Sequence, residues 1–232
     1  MTATGQASLA DWLALHGLDP AELRSRLALM QAPAAIATPD PALAKDAVLP
    51  MVLDALGRAL PGAEPVLQRL KTDVQIDLSP DPARFPRAFT LHDDGRGLPF
   101  VSCPLKGRMS DLLLVMHELG HACQSLAAGR ADLPPVQRET AAYLAEELLL
   151  RADPDRALVL RALHRARTAR IMARDGAALA QATMTTPYHY NWNYPIARDL
   201  AARATAHLPV TALWGVYTGK VEMAQLLRLP AA

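Results

Sequence analysis

The sequence predicts an α+β fold, mostly α, and three observations carry that prediction. Apolar residues recur at helical spacing over residues 8 to 70, the stretch 73 to 103 is β-rich and broken by turn-type sequences, and helical periodicity returns at Ser110 and persists. The order is therefore helices, a small sheet, then a helical bundle. No internal repeat or low-complexity tract interrupts it, only an Ala, Arg and Leu bias spread over the whole chain. With 232 residues, 51% of them apolar, the chain can bury a sizeable core. Residues 1–70 read as a short N-terminal helical region and 71–232 as the main region, and the two are expected to form one compact unit.

The N-terminal segment alternates apolar-periodic stretches with proline-containing breaks, which predicts helices over 8–17, 20–30, 40–60 and 62–70. The breaks carry helix-start chemistry: Asp19-Pro20 and Asp40-Pro41 each set a capping acid ahead of a proline suited to the first helical turn. In the middle, DVQIDLS, RAFTLHD and LPFVSC are short β-rich runs separated by SPDPARFP and DGRG. They predict a small sheet with Leu98 to Cys103 along its edge. Beyond it, helices are expected over 110–128, 134–152, 154–181 and 194–207, with Asp111 capping the first and shorter pieces running to the end.

Charge excludes several function classes. The formal net charge is +1 with acids and bases interspersed, so the chain lacks the electrostatic footprint that nucleic acid or an anionic membrane surface requires. The N-terminus has no basic run ahead of an apolar stretch, and Asp11, His16 and Asp19 interrupt it too early for an export signal. Apolar runs such as Leu112 to Met116 fall far short of the roughly 20 residues a membrane span needs. The expected location is cytoplasmic, and Cys103 and Cys123 are then expected as reduced packing residues.

The informative segment is DLLLVMHELGHACQSLAAG. His117 and His121 stand one turn apart on one helix face, separated by about 6 Å of rise, so both imidazoles can reach one ion at roughly 2.0–2.1 Å. Glu118 lies about 100° around the helix from His117, awkward as a ligand and well placed to take a proton from a water on the metal. An apolar run leading straight into His-Glu puts the motif in the interior, where unpaired polar groups are costly and a metal satisfies them. Two protein ligands hold zinc poorly, so a third must come from elsewhere. The helix VQRETAAYLAEELLL offers Glu139, with Glu146 and Glu147 as alternatives. Any of these carboxylates that is not a ligand can accept a hydrogen bond from the free N–H of a ligand imidazole, and Glu146 is the candidate for that role.

The likeness of these segments to a known family extends beyond five letters. DVQIDLSPDPARFPRAFTL matches a family segment at Asp77, Leu78, Pro80 and Ala88-Phe89, with Arg87 standing where the family has glycine. SDLLLVMHELGHA keeps an Asp six residues before the first histidine, as Asp111, and a small residue after the second, as Ala122. ETAAYLAEELLL matches at Glu139, Ala141, Glu146, Leu148 and Leu149, and PYHYNWNYPIARDLAARA places Tyr190 and Tyr194 on two tyrosine positions. Together these stretches resemble the catalytic half of the oligoendopeptidase F and thimet oligopeptidase family of zinc peptidases. The resemblance covers residues 73 to about 207.

What this resemblance implies is a helical zincin-like catalytic domain, one zinc per chain, and Glu139 rather than its rivals as third ligand beside His117 and His121. Glu118 is then the general base of peptide-bond hydrolysis, and Tyr190, Tyr194 and His189 stabilise the oxyanion. His189 departs from the family pattern, because Tyr188 occupies the family's histidine position. The strand Phe100, Val101 and Ser102 is expected to take the peptide substrate by strand addition. Family members are usually much longer, with an N-terminal half that closes over the channel, so the site here is expected to be more open, or covered by a second copy in a homo-oligomer. Two alternatives stand beside general oligopeptide hydrolysis: a dedicated maturation or leader protease for one protein or precursor peptide, and a catalytically silent relative that binds peptide or metal. A helical di-iron site is excluded, since it needs two E-x-x-H motifs and the chain has one.

Overall fold

Helix-start signals decide much of the local structure, and the computed structural model, which describes residues 7–30, 37–93, 95–129 and 132–231, follows most of them. The chain opens with α1 (Leu9–His16), α2 (Pro20–Leu29), α3 (Lys45–Ala59) and α4 (Glu64–Thr72). α1 begins with a capping box between Ser8 and Asp11 and stops at Gly17, whose φ of 63° is left-handed. Asp19 accepts the amides of Ala21 and Glu22 ahead of Pro20, as expected.

Asp40 behaves differently. The helix after it begins only at Lys45, not at residue 40, because residues 41–43 run extended beside 107–109. The Asp40 carboxylate accepts instead from Ser110 N at 2.9 Å and Ser110 Oγ at 2.7 Å, and so serves the start of a later helix.

The sheet comprises β1 (Gln75–Asp77), β2 (Phe89–Leu91) and β3 (Phe100–Ser102) in the order β1-β3-β2, with β1 parallel and β2 antiparallel to β3. This corrects the expected edge. Phe100, Val101 and Ser102 form the central strand, bonded on both sides, and Val101 and Ser102 are fully buried. Their backbone groups are spent on two neighbours, so the strand has none left to offer a substrate. Of the two strands that pack against α5 (Ser110–Ala128), β2 is the one at an edge of the sheet.

The second half contains α5 (Ser110–Ala128) and α6 (Pro135–Ala152), then α7 (Ala157–Ile171), a π-turn (Met172–Gly176) and α8 (Ala177–Gln181). A 3₁₀ turn (Tyr190–Trp192) leads into α9 (Asn193–His207), followed by α10 (Val210–Tyr217) and α11 (Met223–Leu227). The single helix expected over 154–181 thus starts three residues later and carries a π-turn, which turns Asp175 inward to be bonded by Arg174 and Asn191. Asp111 sits inside the first turn of α5, so it does not cap that helix in the forward direction. Its Oδ2 gathers the amides of Lys106, Gly107 and Arg108 at 2.7–3.0 Å, which fastens the end of the sheet to the helix start.

α5, α6 and α9 pack on one another, with α3 against the α5–α6 pair and β2 and β3 against α5. One hydrophobic cluster joins Leu9, Trp12 and Leu23 of the first helices to Leu119, Leu144 and Ile196. At Gly120 the α5–α6 approach is at its tightest. A Cβ placed there would lie 2.8 Å from Ala142 Cα, 3.0 Å from Ala145 Cβ and 3.2 Å from Ala141 O. Only glycine admits α6 that close.

Candidate metal centre

The close passage at Gly120 brings Glu139 of α6 against both histidines of α5. Glu139 Oε2 stands 3.5 Å from His117 Nε2 and 3.6 Å from His121 Nε2, and the three candidate ligand atoms lie within 4.8 Å of one another. Two atoms bound to tetrahedral zinc at about 2.0–2.2 Å are about 3.3–3.6 Å apart. The spacing therefore fits a single ion. All three side chains are buried, and Oε2 of Glu139 has no hydrogen-bond partner among the described residues. A buried carboxylate oxygen beside two imidazole nitrogens, with no hydrogen-bond donor of its own among the described residues, is a donor set that a cation would complete.

Electrostatics agree with that reading. Burial alone would raise the Glu139 carboxyl, but the His121 and His117 imidazoles beside it hold it well below the usual carboxylate range. Burial opposes charge on His117, yet the neighbouring Glu139 carboxylate and the hydrogen-bonded Glu146 outweigh that and lift it to about 9. A cation entering here displaces protons.

Glu146 takes the other side of His117, with Oε1 2.8 Å from Nδ1. That bond sets Nε2 free for a metal. Glu146 is fully buried, and burial alone would raise its carboxyl; Arg167 and Arg198 hold it well below the ordinary range. Arg198 donates to Oε2 at 2.9 Å and to His164 Nε2 at 2.6 Å, and Arg167 lies 3.3 Å from Oε1. Tyr143 wedges between, its ring edge-on to His117 at 4.8 Å and under the Arg198 guanidinium at 4.4 Å. His121 has no counterpart of Glu146: its Nδ1 is buried without a partner among the described residues. Glu147 does not reach either imidazole of the triad and instead stands 3.4 Å from His164 Nε2.

Glu118 is buried on the same helix, and its Oε2 accepts the Thr90 hydroxyl at 2.8 Å. Thr90 belongs to β2, so the sheet holds the carboxylate in place. Tyr190 donates its hydroxyl to Glu139 Oε1 at 2.7 Å, which leaves Oε2 to face the histidines. Tyr194 packs edge-on to Tyr190 and Tyr143, and burial with the nearby Glu139 and Glu118 pushes its phenol up to about 12. It remains a protonated donor at neutral pH. His189 makes no contact with the triad in this arrangement: it is exposed and meets Trp192 edge-on at 5.7 Å. The structure thus gathers every predicted site residue except His189 and the central strand Phe100–Ser102.

Several participants were not among the sequence candidates. Asn193, fully buried, donates to Tyr190 O and Tyr188 OH at 2.7 Å and accepts Trp12 Nε1–H at 2.8 Å. Backbone bonds from Leu9 to Thr186 and from Tyr188 to Ala7 add to this, so the N-terminal helix braces the tyrosine segment. Arg198, Arg167, Thr90 and Asn193 lie outside the histidine motif in sequence; Arg198 and Asn193 are polar residues buried in a helix, whereas nothing local marks Arg167 or, in β2, Thr90.

Comparison with known proteins gives the fold. No family model and no curated protein matches the chain. A solved structure from Bacillus anthracis str. Ames, provisionally described as an oligoendopeptidase F, superposes with a TM-score of 0.52 at 13% identity. The match covers 91% of this chain and 49% of the other, so the chain spans about half the length of that structure. At this identity the likeness is one of fold: mostly helical, with a small sheet ahead of the helix that carries His117 and His121.

Proposed function

We propose that this chain is a metallopeptidase that hydrolyses peptide bonds with one zinc ion held by His117, His121 and Glu139. The observation that carries the reading is the unpartnered Glu139 Oε2 at 3.5 and 3.6 Å from two imidazole nitrogens, with the Glu118 carboxylate next along the helix. When bound, zinc polarises the scissile carbonyl and lowers the pKa of a water toward about 7. Glu118, held by Thr90, accepts the proton of the attacking water and returns it to the leaving amine. Tyr194 donates to the oxygen on which negative charge develops, since its hydroxyl is not engaged elsewhere among the described residues. Tyr190 keeps Glu139 in a one-oxygen pose through Oε1. Glu146, neutralised by Arg198 and Arg167, fixes the His117 ring.

β2 replaces the central strand as the place where substrate backbone adds. Among the described residues it pairs with β3 alone, and Thr90 within it already touches Glu118, so a peptide laid along Phe89–Leu91 brings a carbonyl to the base. The similarity of fold to a described oligoendopeptidase is consistent with this chemistry.

The test is metal analysis together with a peptide library, with and without chelator. Purified protein should carry about one zinc per chain and cleave peptides only when loaded. Glu118→Gln should keep the zinc and lose cleavage. Cleavage that survives Glu118→Gln removes Glu118 as base, and a zinc-loaded protein that cleaves nothing refutes the peptidase reading.

A further inference from the structure

Beside the metal centre opens a cavity of about 440 Å³, lined by His92 at the end of β2, Gln124 and Ser125 of α5, Arg138 of α6, and Arg69 and Leu133. Its size lies within the range of small-ligand sites. His92 joins it to the centre, its ring edge-on to His121 at 6.0 Å. Arg138 immediately precedes Glu139 and is partly buried. Its Nε is wholly buried without a hydrogen-bond partner, and no ion pair engages its guanidinium among the described residues. A buried donor left unsatisfied is costly, and a charged one more so. The other charges in the cavity are occupied or open to solvent: Asp93 accepts the amides of Gly95 and Gly97, Arg69 pairs with Asp73 at 3.5 Å, and Asp132 is exposed. The field of Arg138 acts on His92 on one side and on Tyr188 and Tyr190 on the other, which sets it at the mouth of the centre.

We propose that this cavity is a subsite for a carboxylate of the substrate, bound by the Arg138 guanidinium, so that peptides with an anionic group near the cleaved bond are preferred. This rests on the peptidase reading above. The carboxylate has two sources, the C-terminus of a short peptide or an Asp or Glu side chain of a longer one. Both present two oxygens to the planar fork of a guanidinium.

The experiment reads binding rather than turnover. One peptide sequence is made with a free C-terminus, as the C-terminal amide, and as the amide with an internal glutamate, and each is titrated calorimetrically into Glu118→Gln protein, zinc-loaded and zinc-free. At least one carboxylate form should bind about 10- to 100-fold tighter than the neutral amide, and which form gains identifies the source. Arg138→Gln should erase the difference, and Arg138→Lys should restore part of it. Equal binding of acid and amide while Arg138 is present overturns the proposal, even if the Arg138 variants fail to fold. A preference that disappears in zinc-free protein overturns it too, because the carboxylate was then held by the metal. Acid preference in a protein that cleaves no peptide would leave the subsite standing and refute the peptidase reading; cleavage without acid preference would do the reverse.

Discussion

Replacing Gly120 with alanine tests whether the helix contact builds the proposed metal site. The added Cβ would stand 2.8 Å from Ala142 Cα and 3.0 Å from Ala145 Cβ, against about 3.5–4.0 Å for carbon atoms in ordinary contact. Backbone cannot swing aside, so α5 and α6 must part by about 0.7 Å or more. Parting of that size carries Glu139 Oε2 from 3.5 and 3.6 Å to about 4.2 Å or beyond from the two histidine nitrogens. Two atoms each about 2.1 Å from one ion cannot be more than about 4.2 Å apart even on opposite sides of it. The chelate therefore opens. Alanine is about 1 kcal/mol better than glycine in a helix, while overpacking costs about 1–3 kcal/mol, so stability should fall only slightly and metal binding a great deal. Zinc affinity, measured by competition with a chelating dye, should drop at least about tenfold. Zinc binding within threefold of the unaltered protein would refute the argument that glycine at this contact sets the ligand spacing.

The two tyrosines should separate by phenotype: Tyr194→Phe should lower kcat about 10²- to 10³-fold with zinc content unchanged, whereas Tyr190→Phe should chiefly weaken zinc retention. The opposite pattern in paired metal and rate assays would exchange their roles. Glu146→Gln should weaken zinc about 10- to 100-fold in chelator competition, since the His117 ring loses its charged partner; unchanged affinity would show that the ring needs no such support. His164 accepts a hydrogen bond from Arg198, and burial and that guanidinium lower its pKa to about 4, below an unfolded value of about 6.5. A depressed histidine leaves stability intact above pH 6.5 and erodes it as pH falls toward 4, by about 2.5 kcal/mol at pH 4.5. Urea unfolding of His164→Gln should therefore show a flatter loss between those pH values than the unaltered protein, and parallel slopes would rule the contribution out.

Local order was legible without tertiary information. Helical periodicity and the Asp19-Pro20 start placed most helices within a few residues, because a helix is closed by bonds between near neighbours. The chelating face of His117 and His121, with Glu118 beside it, follows from helix geometry alone. Asp40 and Asp111 show the limit: each has the chemistry of a helix cap, and which amides it meets depended on where another segment passed. The same limit misassigned the substrate strand, since alternation reveals that residues 98–103 are extended but not how many neighbours they acquire.

By itself, then, the sequence determined a mostly helical chain carrying two imidazoles and a carboxylate at chelating and basic spacing on one helix. The tertiary structure decided which distant groups complete that helix: Glu139 through the opening at Gly120, Glu146 with Arg198 behind His117, Thr90 behind Glu118, and Arg138 beside the cavity. The physical reason is range. Periodicity and capping act within a few residues, whereas a buried charge takes whatever partner the packed core brings within about 3 Å, however far away in the chain that partner lies.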